Sequence, residues 1–197
     1  NDGKKIEKGG KNLDLNAPIK NGPIVFGFDY YFGISASLNM DPHAYIENDK
    51  IQGDFIFMPS DQEVKKHFGT GGKKGWVDKN LKRDEVMQTF TDKAVTWMQN
   101  HKRNNDNQPF FLYFPLNAPH SPIVPSKNFK GKSKLAPHGD FCMDVDDTVG
   151  QILAAVEALG ELDNTLVIFT ADNGVSPQAK LAPMEEKGHF SSYIYIY

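Results

Sequence analysis

The chain of 197 residues contains one cysteine, Cys142, so it cannot form an internal disulfide. This excludes a disulfide-rich secreted scaffold but leaves the compartment open, because exported bacterial proteins often lack disulfides. No apolar run reaches the roughly 18 residues that a transmembrane helix requires, so we predict no membrane span. The net charge is only −3 and no concentrated basic stripe is present, so we predict no nucleic-acid partner.

The apolar content is sufficient for a hydrophobic core, since 39% of the residues are hydrophobic and 12% are aromatic. The length corresponds to about one large domain. The chain begins with Asn1, shows no signal peptide, and stops within an apolar run at residues 193–197. We interpret it as an internal piece of a longer protein.

Two unbroken apolar runs, residues 110–114 and 166–170, predict strands that are covered on both faces, as parallel strands are. Apolar residues at helical spacing precede each run and predict helices over residues 84–101 and 138–160. The order helix, strand, loop, helix, strand is typical of an α/β fold with a mostly parallel central sheet flanked by helices.

Each predicted helix has an apolar stripe that identifies its buried face. The stripe of the first helix comprises Val86, Phe90, Ala94, Trp97 and Met98. The stripe of the second comprises Phe141, Val145, Thr148, Val149, Ile152, Ala155, Val156 and Leu159. Residues 1–80 have many turn formers and little periodicity, so we predict an irregular excursion there and the α/β core segment over residues 81–197.

Polar residues follow both predicted strands. Asp172 and Asn173 come directly after the second run, and His120 follows the first. Ligands of open α/β sheets bind outside the carboxyl ends of the strands. The oxygens of Asp172 and Asn173 suit Ca²⁺ or Mg²⁺, although an Asp-Asn-Gly sequence also forms turns. His120 is either an inert surface residue in a proline-rich loop or a hydrogen-bond donor or acid–base group.

Other polar residues are assigned structural roles. Asp144, Asp146 and Asp147 are predicted to lie on the solvated face of the second helix, not in a metal cluster. Cys142 has no basic partner nearby in the sequence and is interpreted as structural. The remaining histidines considered lack metal-ligand spacing and are interpreted as surface or helix-end residues: His43, His67, His138 and His189.

In this order and spacing, several segments resemble the sulfatase family of the alkaline-phosphatase-like superfamily. They are residues 27–33 (GFDYYFG), 45–49 (YIEND), 109–113 (PFFLY), 118–122 (APHSP), 139–140, 145–146, 149–150 and 163–174 (DNTLVIFTADNG). The resemblance implies an alkaline-phosphatase-like fold that is incomplete at both ends, with residues 1–197 forming part of one sulfatase catalytic domain.

The resemblance also implies sulfate ester hydrolysis with a formylglycine and a bound Ca²⁺. Asp172 and Asn173 would be the late pair of calcium ligands, and His120 would be the catalytic histidine that hydrogen-bonds the sulfate group. The formylglycine motif and the first aspartate pair of the family lie upstream of the residues present here. The chain therefore holds half of the calcium site and no nucleophile, and we expect it to be inactive alone.

Two further lysine candidates do not take the family's role. The family has a lysine after the Asp-Asn-Gly segment, expected beyond Tyr197, and we assign that role to neither Lys180 nor Lys187. Cys142 lacks the Pro-x-Arg context of a formylglycine site.

The resemblance predicts a sulfated carbohydrate or an aryl sulfate as substrate. Aromatic residues could line the substrate cleft, although core packing explains Phe28 and Phe32 equally well. These residues are Phe28, Tyr30, Tyr31, Phe32 and Tyr45. Two alternatives remain: a phosphodiesterase or phosphatase of the same superfamily, and a non-catalytic relative that binds sulfated glycans. Family members are exported, to the periplasm or out of the cell, or lysosomal, and the resemblance implies the same here.

Overall fold

The structure is a computed structural model that describes residue 10, residues 12–104 and residues 108–174. The chain divides into two compact units, residues 1–83 and residues 84–197. That both belong to one catalytic domain stays a prediction. No helix among the described residues is long and apolar enough to cross a membrane.

The first unit contains a three-stranded antiparallel sheet. Its strands are β1 (Phe32–Ile34), β2 (Tyr45–Glu47) and β3 (Lys50–Gln52), in the order β1-β2-β3. The two-residue turn between β2 and β3 begins at Asn48, whose φ of 56° suits asparagine better than most residues. Ile46 is buried at the centre of β2, while its neighbours in the strand are only half-buried.

A second antiparallel pair joins β4 (Phe55–Met58) to β5 (Gly75–Asp78), and α1 (Asp61–Phe68) connects them. Ser60 caps α1, because its side chain accepts a hydrogen bond from the Glu63 amide. Buried apolar residues from the three elements form one cluster: Met58, Val64 and Val77.

The first unit is more regular than the predicted irregular excursion, because it contains α1 and the five strands found among the described residues. Helix α1 escaped prediction because seven of its eight residues are not buried, so Val64 alone cannot create a periodic stripe. Most of the strands were not predicted because their sequence signal is weak. The strands β1, β2 and β3 have only three residues each, and β5 contains a glycine and an aspartate.

The second unit contains both predicted helices. A 3-10 turn, Arg83–Glu85, leads into α2 (Val86–Asn104), and α3 is Pro137–Ala158. The predicted stripes are confirmed in large part, because the following residues are buried: Val86, Phe90, Ala94, Met98, Phe141, Thr148, Ala155 and Val156. The two helices pack together through Met98, Ala155 and Val156. Gly160 follows α3 with a φ of 73°, as expected at a helix end.

The predicted parallel sheet is not present among the described residues. Residues 110–114 and 166–170 lie outside any strand, and every described ladder is antiparallel, apart from one isolated parallel bridge between His43 and Val77. Leu166 and Ile168 are 86% and 77% exposed. The prediction was wrong for these residues because an apolar run indicates that a segment is to be covered but not which strand pairs with it.

Residues 110–114 nevertheless have one covered face. Phe110 and Leu112 pack against the cluster that joins α2 and α3, whereas Phe111 and Tyr113 are exposed. Alternate residues of an extended chain point to opposite faces, so the segment lies with one face on the helices.

Candidate functional site

His120 lies at the end of a tight turn. Its backbone amide donates to the Asn117 carbonyl oxygen at 3.1 Å, and the side chain is exposed. The ring Nδ1 lies 2.5 Å from the Ser121 carbonyl oxygen. Since a carbonyl can only accept, Nδ1 carries a proton, and Nε2 can donate to a ligand only when the ring is protonated. A protonated ring with Nε2 exposed is suited to an anionic ligand.

The loop that follows His120 is attached to α3 by two buried carboxylates. Asp144 accepts from both the amide and the hydroxyl of Ser126, each at 2.6 Å. One turn earlier, Asp140 accepts from the Gly131 amide at 2.7 Å and the Ser133 amide at 2.9 Å. These bonds give a loop without regular structure a defined path after His120.

The environment of each carboxylate explains its role. Burial acts to raise the pKa of Asp140, but hydrogen bonds from Ser133, Gly131 and Lys132 outweigh it and hold this pKa below its usual value. The prediction that Asp144 lies on a solvated helix face is wrong, because Asp144 is only 4% exposed. Asp146 and Asp147 do lie on the exposed face. The carboxylate of Asp144 can be buried because the amide and the hydroxyl of Ser126 donate to it in place of water.

Asn117 is a residue that the sequence interpretation missed. It is 8% exposed, and neither its Nδ2 nor its Oδ1 has a hydrogen-bond partner within the described part of the chain. A buried amide without partners is unfavourable, and such groups are rare in folded proteins. The only signal in the sequence is its position three residues before His120.

Asp172 and Asn173 lie in an exposed bend that ends at Gly174. The Asn173 amide nitrogen donates to the Gly174 carbonyl oxygen at 2.8 Å, so Oδ1 is the atom of this side chain that can serve as a ligand. A carboxylate and an amide oxygen fit a hard cation such as Ca²⁺, but two ligands are too few to hold it. Among the described residues, no group of three or more His, Cys, Asp or Glu side chains could hold a metal. No hydrogen bond of the described residues joins this bend to His120.

The first turn of α3 contains a buried imidazole beside the cysteine. His138 is a helix-end residue as interpreted, but at 3% exposed it is not a surface residue, and its Nδ1 lies 3.9 Å from the Cys142 sulfur. Burial lowers the pKa of His138 and raises the pKa of the Cys142 thiol. The thiol is therefore a poor nucleophile, in agreement with its predicted structural role.

The aromatic residues proposed for a substrate cleft lie on and beside the three-stranded sheet. Phe32 stacks on Tyr45 with ring centroids 5.1 Å apart, and the Tyr30 hydroxyl donates to Glu47 at 2.6 Å. Burial, together with the hydrogen bond and negative charge of Glu47, raises the pKa of Tyr30. Phe28 is 36% exposed, so it is not a core residue.

The antiparallel sheets, the helix pair and the His120 and Asp172 segments occur within a match to a known family. The sequence profile of the sulfatase family matches residues 8–193. The chain belongs to the sulfatase family.

Particular members of the family are similar to this chain. The N-acetylgalactosamine-6-O-sulfatase of Bacteroides thetaiotaomicron is 32% identical over 85% of this chain and 37% of its own length. The human N-acetylgalactosamine-6-sulfatase is 38% identical over 49% of this chain and 18% of its own length. Human arylsulfatase A is 44% identical over 34% of this chain and 13% of its own length. The chain thus spans well under half the length of these relatives.

A solved structure supports the same assignment. A protein studied in the metabolism of multiple glycosaminoglycans by Bacteroides thetaiotaomicron superposes with a TM-score of 0.76 and 26% identity. The superposition covers 90% of this chain and 43% of that protein. The fold is therefore that of a sulfatase, of the alkaline-phosphatase-like superfamily.

Proposed function

We propose that the protein to which this chain belongs hydrolyses sulfate esters of sulfated sugars, with 6-sulfated N-acetylgalactosamine as the first substrate to test. The observation that carries the proposal is the 32% identity, over 85% of this chain, to a protein named N-acetylgalactosamine-6-O-sulfatase. Human arylsulfatase A is also similar to part of the chain, so an aryl sulfate is a suitable second substrate. From the family resemblance, we also propose that the protein is exported to the periplasm or out of the cell, or is lysosomal.

In this proposal, His120 hydrogen-bonds the sulfate group. Its Nδ1 proton is committed to the Ser121 carbonyl oxygen, which leaves Nε2 for the substrate. With Nδ1 committed in this way, Nε2 can donate to the sulfate group only from the protonated ring. The loop contacts of Asp140 and Asp144 support this role by restricting the chain beyond His120.

Asp172 and Asn173 would contribute oxygen ligands to a Ca²⁺ ion, with the remaining ligands supplied from outside this chain. A cation held there would polarise the sulfuryl oxygens, and the attacking group of the family is a formylglycine, expected upstream of Asn1. The 197-residue chain contains only two of the proposed calcium ligands and no formylglycine motif, so we expect it to be inactive alone.

The test is hydrolysis by the protein expressed from its complete gene. We expect release of sulfate from 6-sulfated N-acetylgalactosamine and from an aryl sulfate. The phosphate esters of the same alcohols serve as matched substrates. Cleavage of the phosphate esters alone would favour the phosphatase alternative, and binding of the sulfated sugar without cleavage would favour a glycan-binding relative.

The residue assignments are tested separately from the activity. His120→Ala should lower kcat by about 10² to 10³-fold, as loss of a transition-state hydrogen-bond donor does, whereas the exposed His67→Ala should not. Calorimetric titration of the metal-depleted protein with Ca²⁺ should show affinity reduced at least about tenfold in Asp172→Asn. Unchanged affinity in Asp172→Asn, or an equal loss in the exposed control Asp163→Asn, would remove Asp172 from the calcium site.

A further inference from the structure

A buried arginine holds the loop of residues 69–74, which connects α1 to β5. Nη1 of Arg83 donates to the Thr70 hydroxyl at 2.7 Å, the Gly71 carbonyl oxygen at 2.9 Å and the Thr70 carbonyl oxygen at 3.3 Å. The guanidinium also lies 3.9 Å from the centre of the Phe68 ring. Arg83 is only 4% exposed. Carbonyl oxygens, a hydroxyl and the face of an aromatic ring therefore stabilise its positive charge in place of water.

A buried histidine holds the far end of the same loop. Nε2 of His43 lies 2.6 Å from the Lys73 carbonyl oxygen, so this nitrogen carries the proton. In the neutral ring, Nδ1 is then an acceptor, and it lies 3.4 Å from Nη2 of Arg83. His43 is 3% exposed and lies in no helix, so its interpretation as a surface or helix-end residue is wrong. The arrangement requires a neutral imidazole, because a proton on Nδ1 would face the donor of a second cation.

The packing around this pair is tight. A Cβ atom added at Gly72 would lie 2.6 Å from Nη2 of Arg83, 2.8 Å from a methyl of Val64 and 3.3 Å from the His43 ring. The Nε of Arg83 has no partner within the described residues. The loop backbone thus lies directly against the pair. A movement of the His43 ring or of the Arg83 guanidinium must therefore be accompanied by a movement of the loop.

The surrounding charges do not neutralise a protonated His43. On α1, His67 lies edge-on to Phe68 and acts on His43 as a further like charge when protonated. The carboxylates of the surrounding segments have other partners, and Asp41, two residues before His43, accepts from the Trp76 amide at 2.6 Å. Asp61 accepts from the Lys74 amide and pairs with Lys73 at 3.6 Å. Asp78 of β5 accepts from the backbone amides of residues 54 and 80.

We propose that His43 and Arg83 form a pH-sensitive latch that holds the loop of residues 69–74 at neutral pH and releases it when His43 is protonated. Protonation would place two cations 3.4 Å apart in a site that is closed to water. Opening of the loop separates them and hydrates both. This property is independent of the sulfatase activity proposed above.

The shift of the His43 pKa agrees with the latch. Burial lowers this pKa most, and the Arg83 and His67 charges lower it further, while the carbonyl oxygens of Lys73 and Leu38 act in the opposite direction. When the folded-state pKa of a histidine is below the value of about 6.5 for an open state, the open state binds more protons between these two values. The closed loop is therefore fully favoured above pH ~6.5 and loses stability as the pH falls below it.

The test is hydrogen exchange of the loop in the protein expressed from its complete gene, between pH 8 and pH 5. The amides of Lys73 and Lys74 are the probes, because each donates to a defined acceptor, at 2.8 and 2.7 Å. After correction for intrinsic exchange, their protection should fall by up to about tenfold per pH unit below pH ~6.5. In His43→Gln, which keeps a donor and an acceptor without a titrating group, protection should not depend on pH.

The control is His67→Gln, an exposed position on α1, which should keep pH-dependent protection but with its midpoint moved to slightly higher pH, because one charge that lowers the His43 pKa is removed. Equal pH dependence in His43→Gln and the unsubstituted protein would overturn the latch. If His43→Gln fails to fold, exchange of the imidazole carbon-bound hydrogens in the unsubstituted protein measures each histidine's pKa directly. A pKa of His43 no lower than the ordinary value of about 6.5 would then overturn it.

Discussion

Asp144→Asn tests whether the buried carboxylate of α3 holds the loop that follows His120. Asp144 uses one oxygen for the Ser126 amide and the other for the Ser126 hydroxyl, both at 2.6 Å. Asparagine has nearly the same shape but only one acceptor oxygen. Both bonds then lose their charged acceptor, because the amide oxygen can accept from the Ser126 amide while the new NH₂ group can only donate to the Ser126 hydroxyl.

The expected magnitude comes from hydrogen bonds to charged acceptors, each of which contributes about 1.5–3 kcal/mol to folding. We expect Asp144→Asn to lower the free energy of unfolding by about 1.5–3 kcal/mol. The matched control is Asp146→Asn on the exposed face of the same helix, which should change this free energy by less than about 0.5 kcal/mol. Denaturant titration of the protein expressed from its complete gene measures both.

Hydrogen exchange separates a local effect from a global one. The Ser126 amide should lose protection by about 10 to 100-fold in Asp144→Asn, since about 1.4 kcal/mol corresponds to a tenfold change. Equal stability of the Asp144→Asn and Asp146→Asn variants, with unchanged protection of Ser126, would refute the anchoring role of Asp144.

Three more predictions address packing and titration. Phe141→Ala should lower the free energy of unfolding by about 3–5 kcal/mol in denaturant titration, because this ring is fully buried. Gly75→Ala should sharply reduce the yield of folded protein, since a Cβ there would lie 2.0 Å from the Asp41 carboxylate and φ is 151°. Gly71→Ala, with no atom within 4 Å of the added Cβ, should be tolerated. Burial lowers the pKa of His138, so it contributes to the loss of stability below pH ~6.5. A shallower pH dependence of the melting temperature in His138→Gln would show this contribution, and an unchanged one would contradict it.

Local pattern was sufficient to predict α2 and α3. Each helix buries one long stripe, and the stripe is visible in the sequence because its residues recur at the helical period. Val86, Phe90 and Met98 in α2 are buried as the pattern predicts. The short α1 has only Val64 buried, and a single apolar residue has no period to detect.

Segment order was sufficient to predict the family, while the site residues carried over from it stay predictions. His120, Asp172 and Asn173 lie on exposed segments, and their joint role depends on groups outside the described residues. The proposed strands after which they stand are apolar but unpaired here. An apolar run indicates that a segment is to be buried. Which strand pairs with it and buries it is determined only by long-range contacts.

The sequence by itself determined the helix pair, the absence of an internal disulfide and membership in the sulfatase family, because these depend on local periodicity, residue counts and motif order. Only the tertiary structure decided which polar side chains are buried. Asp144, His138, His43 and Arg83 are all more than nine-tenths buried. The environments of Asp144, His43 and Arg83 depend on partners 18 to 40 positions away in the chain, such as Ser126 for Asp144 and His43 for Arg83. Distant residues meet only when the chain folds, so their environments and pKa shifts have no local signal in the sequence.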